Sequence, residues 1–449
     1  MRKRLLFATT SAALAAGSIL LAGCGSDNTT GGGGGSSTST SSSGTSMTTD
    51  GCGAEAKVDT TGCTTVVAPG SDDTTRLQTA LIETKSGSTV CLCPGTFKLD
   101  KQLSLTVPNV TVKGVGAAIE DTVLDFSGDL KGGNDTMLVT SDGFTIENLW
   151  VKNTPGNGVV VRQADKPTFR KLKVSWDGGS KPSNGAYSIY PAECTNVLVE
   201  DCDVEGASDA AIYVGQSMGA IVRRNKAHGS VLGIEFENTT NGEAYDNECW
   251  DNTAGFAVFL LGNLDKKTAE KTLLSDNNVH DNNRPNFGDP ATIVASVPNG
   301  TGIIVVGADD TEIRNNLIKN HKSVGVLVLD YQLMAQLVPG TNIDPKVDPD
   351  PERTSIHDNT FENNGMEPQS LLGQIGVKPL ENVLWDGISK SGVAASNDAK
   401  LCLGTKAPIP SFRMFAGDHL LDADMGKMYH STVTKPYECD LPPLPSSAP

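Results

Sequence analysis

The chain has 449 residues, with 53 Asp and Glu against 36 Lys and Arg, so its net charge at pH 7 is −17. Loss of an N-terminal signal that contains Arg2, Lys3 and Arg4 would bring the net charge to about −20. A surface this acidic excludes nucleic acid as an expected partner and opposes polyanionic glycans.

Residues 1–24 have the pattern of an export signal. A basic start precedes an apolar run from Leu5 to Leu21, which is too short and wrongly flanked for a membrane span. The ending Leu21-Ala22-Gly23-Cys24 resembles the bacterial lipoprotein box, which implies cleavage before Cys24 and lipid attachment to it. Because Gly25 and not Asp follows Cys24, this resemblance implies that the lipid anchors the protein in the outer membrane. We therefore predict a lipid-anchored protein of the bacterial cell envelope.

Residues 25–50 follow as a linker that consists mainly of Gly, Ser and Thr. Such a segment has almost nothing to bury, so it predicts a disordered tether. Its mean span of roughly 25–30 Å would keep the folded part close to the bilayer.

Cysteine usage agrees with export, because disulfides form outside the cytoplasm. With Cys24 lipidated, nine of the ten cysteines remain. We predict a Cys402–Cys439 disulfide and one or two bridges among four N-terminal cysteines, with the pairing left open. Those four are Cys52, Cys63, Cys91 and Cys93. Cys202 and Cys249 are predicted to lie two coils apart and to remain unbonded.

Residues 74–85 predict a short amphipathic helix, with Leu77, Ala80 and Leu81 on one face. Apolar strands follow at 88–97 and 103–107. A helix in this place would cap the first coil of a solenoid, which otherwise exposes its core and a strand edge.

A repeat with a period of about 22 residues then sets the fold. Ala211-Ile212-Tyr213-Val214 superposes on Gly233-Ile234-Glu235-Phe236, and this on Gly255-Phe256-Ala257-Val258. Each copy contains short alternating strands between turns rich in Gly, Ser, Thr and Asn, and none has the length of a helix. We predict an all-β fold, a parallel β-helix over residues 51–365.

An Asn recurs at the end of one strand in each later copy. This column consists of Asn225, Asn247, Asn278, Asn316 and Asn359. Inward Asn side chains can bond to one another and to turn backbone from coil to coil. Two residues further on, a mainly apolar column contains His280, which we interpret as an interior His or a local slip in register.

Three insertions interrupt the later repeats, near 262–272, 284–299 and 331–353. The first and third leave the same corner, so they predict a wall on one side of the stack. The acidic, Pro-rich stretch 344–352 is interpreted as a solvated loop, since it lacks the Gly turn of calcium loops. Beyond residue 365 the period is lost, and 366–449 predict an irregular tail that packs on the β-helix.

The entry into the first coil, with Pro94-Gly95-Thr96-Phe97 after an apolar strand, resembles the pectin-lyase-like right-handed parallel β-helix superfamily. The resemblance covers about residues 70–365. Within it, residues 208–217 and 233–238 look like a family of uncharacterised bacterial β-helix lipoproteins. The motifs of polygalacturonases (Asn-Thr-Asp, Gly-His-Gly and Arg-Ile-Lys) are absent, and Asp289-Pro290 does not continue into the Asp-Pro-His-Asp motif of mannuronan epimerases.

The alternation of the repeat strands places one polar group on an outward face. Glu235 and Glu237 lie about 6.5–7 Å apart on one strand, near the spacing used for inverting glycoside hydrolysis. Asp209 and Gln216 border this face, and Tyr190 and Tyr213 suit stacking on a sugar. The simpler alternative is an exposed acidic strand on an acidic protein.

Two functional hypotheses follow. The first is a surface scaffold that binds a neutral or weakly charged oligosaccharide, or a cell-envelope protein. The second is a carbohydrate-active enzyme with Glu235, Glu237 and Asp209 as catalytic groups. In both, the ligand-binding residues are Tyr190, Tyr213, Gln216 and an exposed Asn238. The sequence predicts no cofactor and no metal site.

Overall fold

The computed structural model describes residues 51–448 except 53–57, 129–134, 338–343, 390–391, 394–400, 408 and 416–429. The predicted signal, tether and lipidated Cys24 therefore lie outside the described residues. In the part that is described, no helix has the length and apolar character needed to cross a membrane.

Strands of successive coils pair in parallel and build the predicted β-helix, in which three ladders of strands enclose one core. The first ladder contains Thr65–Val67, Thr89–Leu92, Thr111–Gly114, Thr145–Lys152, Thr168–Ser175, Thr195–Glu200, Met218–Arg223, Thr240–Tyr245, Glu270–Ser275, Glu312–Arg314, Thr354–His357 and Leu401–Cys402. The second contains Gly95–Lys98, Thr122–Asp125, the ends of the two eight-residue strands above, Asp203–Glu205, Lys226–His228, Glu248–Trp250, Asn278–His280, Leu317–Lys319 and Thr360–Glu362.

The third ladder carries the candidate site. It contains Leu103–Leu105, Asp135–Val139, Asn157–Arg162, Ile189–Ala192, Ala210–Gly215, Leu232–Glu237, Ala254–Phe259, Thr301–Val306, Val324–Leu329, Val383–Trp385, Phe412–Phe415 and the antiparallel His430–Ser431. A separate hairpin pairs Ile388–Ser389 with Gly392–Val393. Inward residues such as Ile212, Ile234 and Phe256 stack in the predicted register and are fully buried.

Helical segments lie at the start of the β-helix, within its insertions and in the tail. They are Asp73–Glu83, Tyr331–Leu337 and Ser370–Gly373, with 3-10 turns at Ile119–Asp121, Ile293–Ser296 and Lys435–Tyr437. The first is the predicted capping helix. The Asp72 side chain accepts a hydrogen bond from the Thr75 N–H at its start, and Leu77 and Leu81 are buried in the core.

The Asn ladder exists, but the sequence assigned one member wrongly. Asn225, Asn247, Asn277, Asn316 and Asn359 are joined by amide–amide hydrogen bonds. Asn277 takes the place predicted for Asn278, which is half-buried and turned outward. The same slip places Val279, not His280, in the core column between Cys249 and Ile318. His280 instead packs outside, against Trp250 and Glu248.

A second buried polar ladder was not predicted. Asn252 donates to Asn282, the Asn282 amide contacts His321, and His321 contacts Asn364. Burial lowers the pKa of His321 to about 4, so its imidazole is neutral inside the stack.

The disulfides are Cys402–Cys439, as predicted, together with Cys52–Cys93 and Cys63–Cys91. Cys202 and Cys249 are buried and unbonded, as expected for residues two coils apart.

The segment after residue 365 is more regular than predicted, because it continues two of the ladders through Val383–Trp385, Leu401–Cys402 and Phe412–Phe415. Its last residues return along the first ladder. There the Leu444 N–H donates to Glu312 at 2.6 Å and the Ser447 N–H donates to Glu243 at 2.7 Å.

Candidate functional site

The third ladder brings Tyr190, Tyr213 and Glu235 side by side. Ile189 pairs with Ile212, and Tyr213 pairs with Glu235, so three successive coils contribute one residue each. The predicted register on this face is therefore confirmed.

Three tyrosine rings pack together at this point. Tyr187 lies 4.4 Å from Tyr213 and 4.8 Å from Tyr190 between ring centroids, and Tyr190 lies 4.9 Å from Tyr213. The Arg162 guanidinium is 5.3 Å from the Tyr190 ring. Tyr187 was missed in the sequence because it precedes its strand, where the period-2 alternation does not apply. The sequence signal that could have identified Tyr187 is its spacing of three residues from Tyr190, which lets the two rings pack together.

Gly215 determines where the Tyr213 ring lies. A Cβ atom at position 215 would approach the Tyr213 hydroxyl and ring to 2.2 Å, so the ring occupies the space above this glycine. Gly215 pairs with Glu237 on the next coil, so the Tyr213 ring lies beside that residue. A larger residue at position 215 would displace the phenol from this place.

Asp209, Glu235 and Glu237 form a carboxyl cluster that is enclosed, and the prediction of an open groove here is wrong. Their exposed fractions are 9%, 3% and 5%. Insertion 284–299 lies over the turn before Asp209, because a Cβ on Gly288 would be 3.5 Å from the Ser208 carbonyl oxygen. Tyr213 is also buried, whereas Tyr190 is half-buried.

Gln216 and Asn238 hold insertion 262–272 and are not exposed ligand contacts. The Gln216 side-chain oxygen accepts hydrogen bonds from the N–H groups of Asp265 and Lys266 at 2.9 and 3.1 Å. Asn238 is fully buried; its side chain donates to the Leu261 carbonyl and accepts from the Leu261 N–H. The predicted role of Asn238 in binding is therefore wrong, because both of its side-chain polar atoms are bonded within the chain, whereas for Gln216 this holds for the side-chain oxygen.

The apolar half of the same face is covered, as expected for so large an apolar strip. Phe259, Ile304 and Leu327 are buried, and the helix Tyr331–Leu337 lies at the end of this face, since a Cβ on Gly307 would be 3.0 Å from the Tyr331 Cβ. The cover is thus an insertion, and this helix contacts the 3-10 turn Ile293–Ser296 of another.

Burial raises the pKa of every carboxyl in the cluster. The pKa of Asp209 rises to about 7, although a hydrogen bond from Tyr187 opposes the rise. The pKa of Glu237 rises to about 8, through burial and the charge of Asp209. The pKa of Glu235 rises well above its usual range through burial and the charges of Asp209 and Glu237, and its Oε2 atom has no hydrogen-bond partner. Glu235 and Glu237 therefore stay largely protonated near neutral pH, whereas Asp209 is about half ionised at pH 7.

A cleft of about 600 Å³ adjoins the cluster, and Asp209 is the cluster member that lines it. Turns of three successive coils form one side, and insertion 284–299 forms the other. The lining residues are Pro155, Gly156, Asn157, Pro182, Asn184, Gly185, Ala186, Ser208, Asp209, Asp289, Thr292 and Val294. Among the described residues, no group of three or more His, Cys, Asp or Glu side chains is arranged to hold a metal ion.

The sequence model of the right handed beta helix region matches residues 137–334, the span that contains the cluster and the cleft. Over that span the chain is similar to right-handed parallel β-helix proteins, in agreement with the parallel ladders of its fold. No curated protein matches the β-helix sequence.

Solved structures resemble this β-helix at low identity. The A-module of mannuronan C-5 epimerase AlgE4 from Azotobacter vinelandii is 16% identical, covers 72% of this chain and 91% of its own, and has a TM-score of 0.47. The alginate lyase of Paenibacillus sp. str. FPU-7 is 15% identical, with coverages of 68% and 100% and a TM-score of 0.39. The DFA-IIIase of Arthrobacter chlorophenolicus A6 is 11% identical, with coverages of 67% and 81% and a TM-score of 0.41.

Proposed function

We propose that the protein binds an oligosaccharide in the cleft beside Asp209. The proposal rests on one observation: a preformed polar cleft lies next to the buried carboxyl cluster, and Asp209 belongs to both. The cleft volume of about 600 Å³ lies within the usual range of ligand sites, roughly 300–1,000 Å³. Asn157, Asn184 and Ser208 offer amide and hydroxyl groups that pair with sugar hydroxyls.

Charge limits the class of glycan. The net charge is −17, and Asp209 and Asp289 both line the cleft. A polyanionic glycan would meet repulsion at long and short range. The ligand is therefore neutral or positively charged.

Replacing Thr292 with Trp should block the cleft with a bulky side chain, because Thr292 is exposed on the insertion and lines the cleft. We expect Thr292→Trp to weaken glycan binding more than 10-fold, measured by a glycan array followed by titration calorimetry with the full-length protein. Ala291→Trp is the matched control, since Ala291 is the exposed neighbour and does not line the cleft. Equal affinities in the two variants would place the ligand elsewhere.

Catalysis is the second candidate function, and the neutral-range pKa of Asp209 at the edge of the cleft favours it. Asp209 would exchange a proton with the bound sugar. Glu235 and Glu237 do not line the cleft, so a sugar bound there would not meet them as a hydrolytic acid and base.

If the protein is an enzyme, Asp209→Asn should lower the turnover of a neutral glycan by about 10²-fold or more while binding of that glycan persists. Reducing-sugar and unsaturated-product assays on each glycan that binds would measure this. An absence of product from the unmodified protein with all of those glycans would leave binding as its function.

We further propose that a lipid on Cys24 holds the β-helix at the outer membrane. The support is the Leu-Ala-Gly-Cys sequence at the end of the export signal. Cys24→Ser should leave the protein unprocessed or soluble in the periplasm. Detergent partitioning tests this, and an unchanged distribution of the variant would contradict the anchor.

A further inference from the structure

The carboxyl cluster lacks a positive charge. Asp209, Glu235 and Glu237 are buried together, and no Lys or Arg of the described chain contributes to the ionisation of any of them. The groups that face them are the hydroxyls of Tyr187, Tyr190 and Tyr213. The Arg162 guanidinium lies over the Tyr190 ring. The charge of Arg162 lowers the pKa of the Tyr190 hydroxyl, and the charge of Asp135 raises it. Asp289 is the other carboxyl on the cleft.

One polar atom in the cluster also lacks a donor. Glu235 is 3% exposed, and its Oε2 atom has no hydrogen-bond partner. A buried acceptor without a donor costs about 1–3 kcal/mol in general, and such atoms are uncommon in folded proteins. The acidic cluster and the unpaired oxygen are separate observations, and a cationic hydrogen-bond donor would satisfy both.

A primary ammonium group would meet both needs. It presents three N–H donors and one positive charge, and a buried carboxylate is stabilised when it is paired with such a cation. Tyrosine rings also attract cations, and three of them pack beside the carboxyls. The only cluster member that lines the cleft is Asp209, so the ammonium would enter from the cleft at this residue.

We propose that the ligand of the cleft is an amino sugar oligosaccharide whose free, protonated amine binds against Asp209 and the carboxyl cluster. This inference rests on the proposed function and names the substrate class for that site. Binding forms no covalent bond. The ammonium pairs with one carboxylate, and the proton that this carboxyl carried in the free protein passes to solvent.

Proton release gives the binding a characteristic pH dependence. Asp209, with a pKa of about 7, ionises as the pH rises, so affinity for the ammonium should increase from pH 5.5 to 7. Affinity should fall again above pH 8, where an amine loses its own charge. An N-acetylated sugar has no charge to pair, so its affinity should change little over this range.

The test is titration calorimetry of the full-length protein with a glucosamine trisaccharide and with its fully N-acetylated counterpart, at pH 5.5, 7 and 8.5. We expect the free amine to bind at least 10-fold more tightly at pH 7, with proton release seen as a difference between buffers of unequal ionisation enthalpy. Glu235→Gln and, as an independent variant, Glu237→Gln should each reduce this preference, whereas Glu83→Gln, at an exposed position on the capping helix, should leave it unchanged.

The outcomes separate this inference from the proposed function. If the acetylated sugar binds as tightly as the amine, and Thr292→Trp removes that binding, the cleft is a glycan site but the amine is not recognised. If spermidine binds as tightly as the glucosamine trisaccharide, the amino sugar is not the ligand class. If neither trisaccharide nor any glycan on the array binds, both proposals fail.

Discussion

Replacing Asn277 with Leu should lower the free energy of unfolding by about 3 kcal/mol, whereas Asn278→Leu should change it by less than about 0.5 kcal/mol. The Asn277 side chain accepts from the Asn247 N–H at 3.0 Å and from the Asn247 amide at 2.9 Å. It donates to the Ala244 carbonyl and to Asn316, both at 3.0 Å. Leu would leave these buried partners unpaired, where water cannot replace the lost bonds.

Asn278 is a close control because it is the next residue along the chain. It is half-buried on the outward face, and its side chain makes one long contact of 3.4 Å with Glu248. Urea unfolding followed by circular dichroism, with the slope compared between variants, would measure both changes. Equal losses at the two positions would refute the assignment of Asn277 to the ladder.

Replacing Glu237 with Gln should stabilise the protein more at pH 8 than at pH 5, by about 3 kcal/mol. The pKa of Glu237 is about 8 in the folded protein and near 4.5 when unfolded. Between these values the folded state holds a proton that the unfolded state has lost, so the native carboxyl lowers stability as the pH rises, by about 1.4 kcal/mol per pH unit. Gln cannot ionise and removes this dependence.

The measured quantity is the difference between variant and unmodified protein at each pH, in which the titration of groups that do not interact with Glu237 cancels. Glu83→Gln, at an exposed position near the end of the capping helix, should show no such difference. A pH-independent effect of Glu237→Gln would mean that this carboxyl ionises normally, and the cluster would then be open to water.

The ladders could be predicted from the sequence because the repeat fixes which residues stack. Ile212, Ile234 and Phe256 recur with the period, and a parallel stack has one register that keeps them all inside. The ladder assignment failed at one coil because Asn277 and Asn278 are adjacent and both fit the pattern. Backbone geometry selects Asn277, because the residue before each ladder Asn has a positive φ: Arg224, Asp246, Asp276, Asn315 and Asp358. Asp276 takes that position, so His280 turns outward.

The candidate site was predicted in its composition but not in its environment. Asp209, Tyr213, Glu235 and Glu237 come together because they belong to adjacent coils. Their enclosure depends on insertions that do not repeat, and no period specifies where such loops pack. Gln216 and Asn238 were misassigned for the same reason, since the loop that they hold has no counterpart in the other coils.

The central claim is that a saccharide occupies the cleft between the coil turns and insertion 284–299. A crystal structure of the protein with a bound oligosaccharide tests this most directly. The account predicts electron density for the sugar in contact with Asp209 and between Asn184 and Thr292. Density on the first ladder beside Leu444 and Glu243, with the cleft empty, would contradict it.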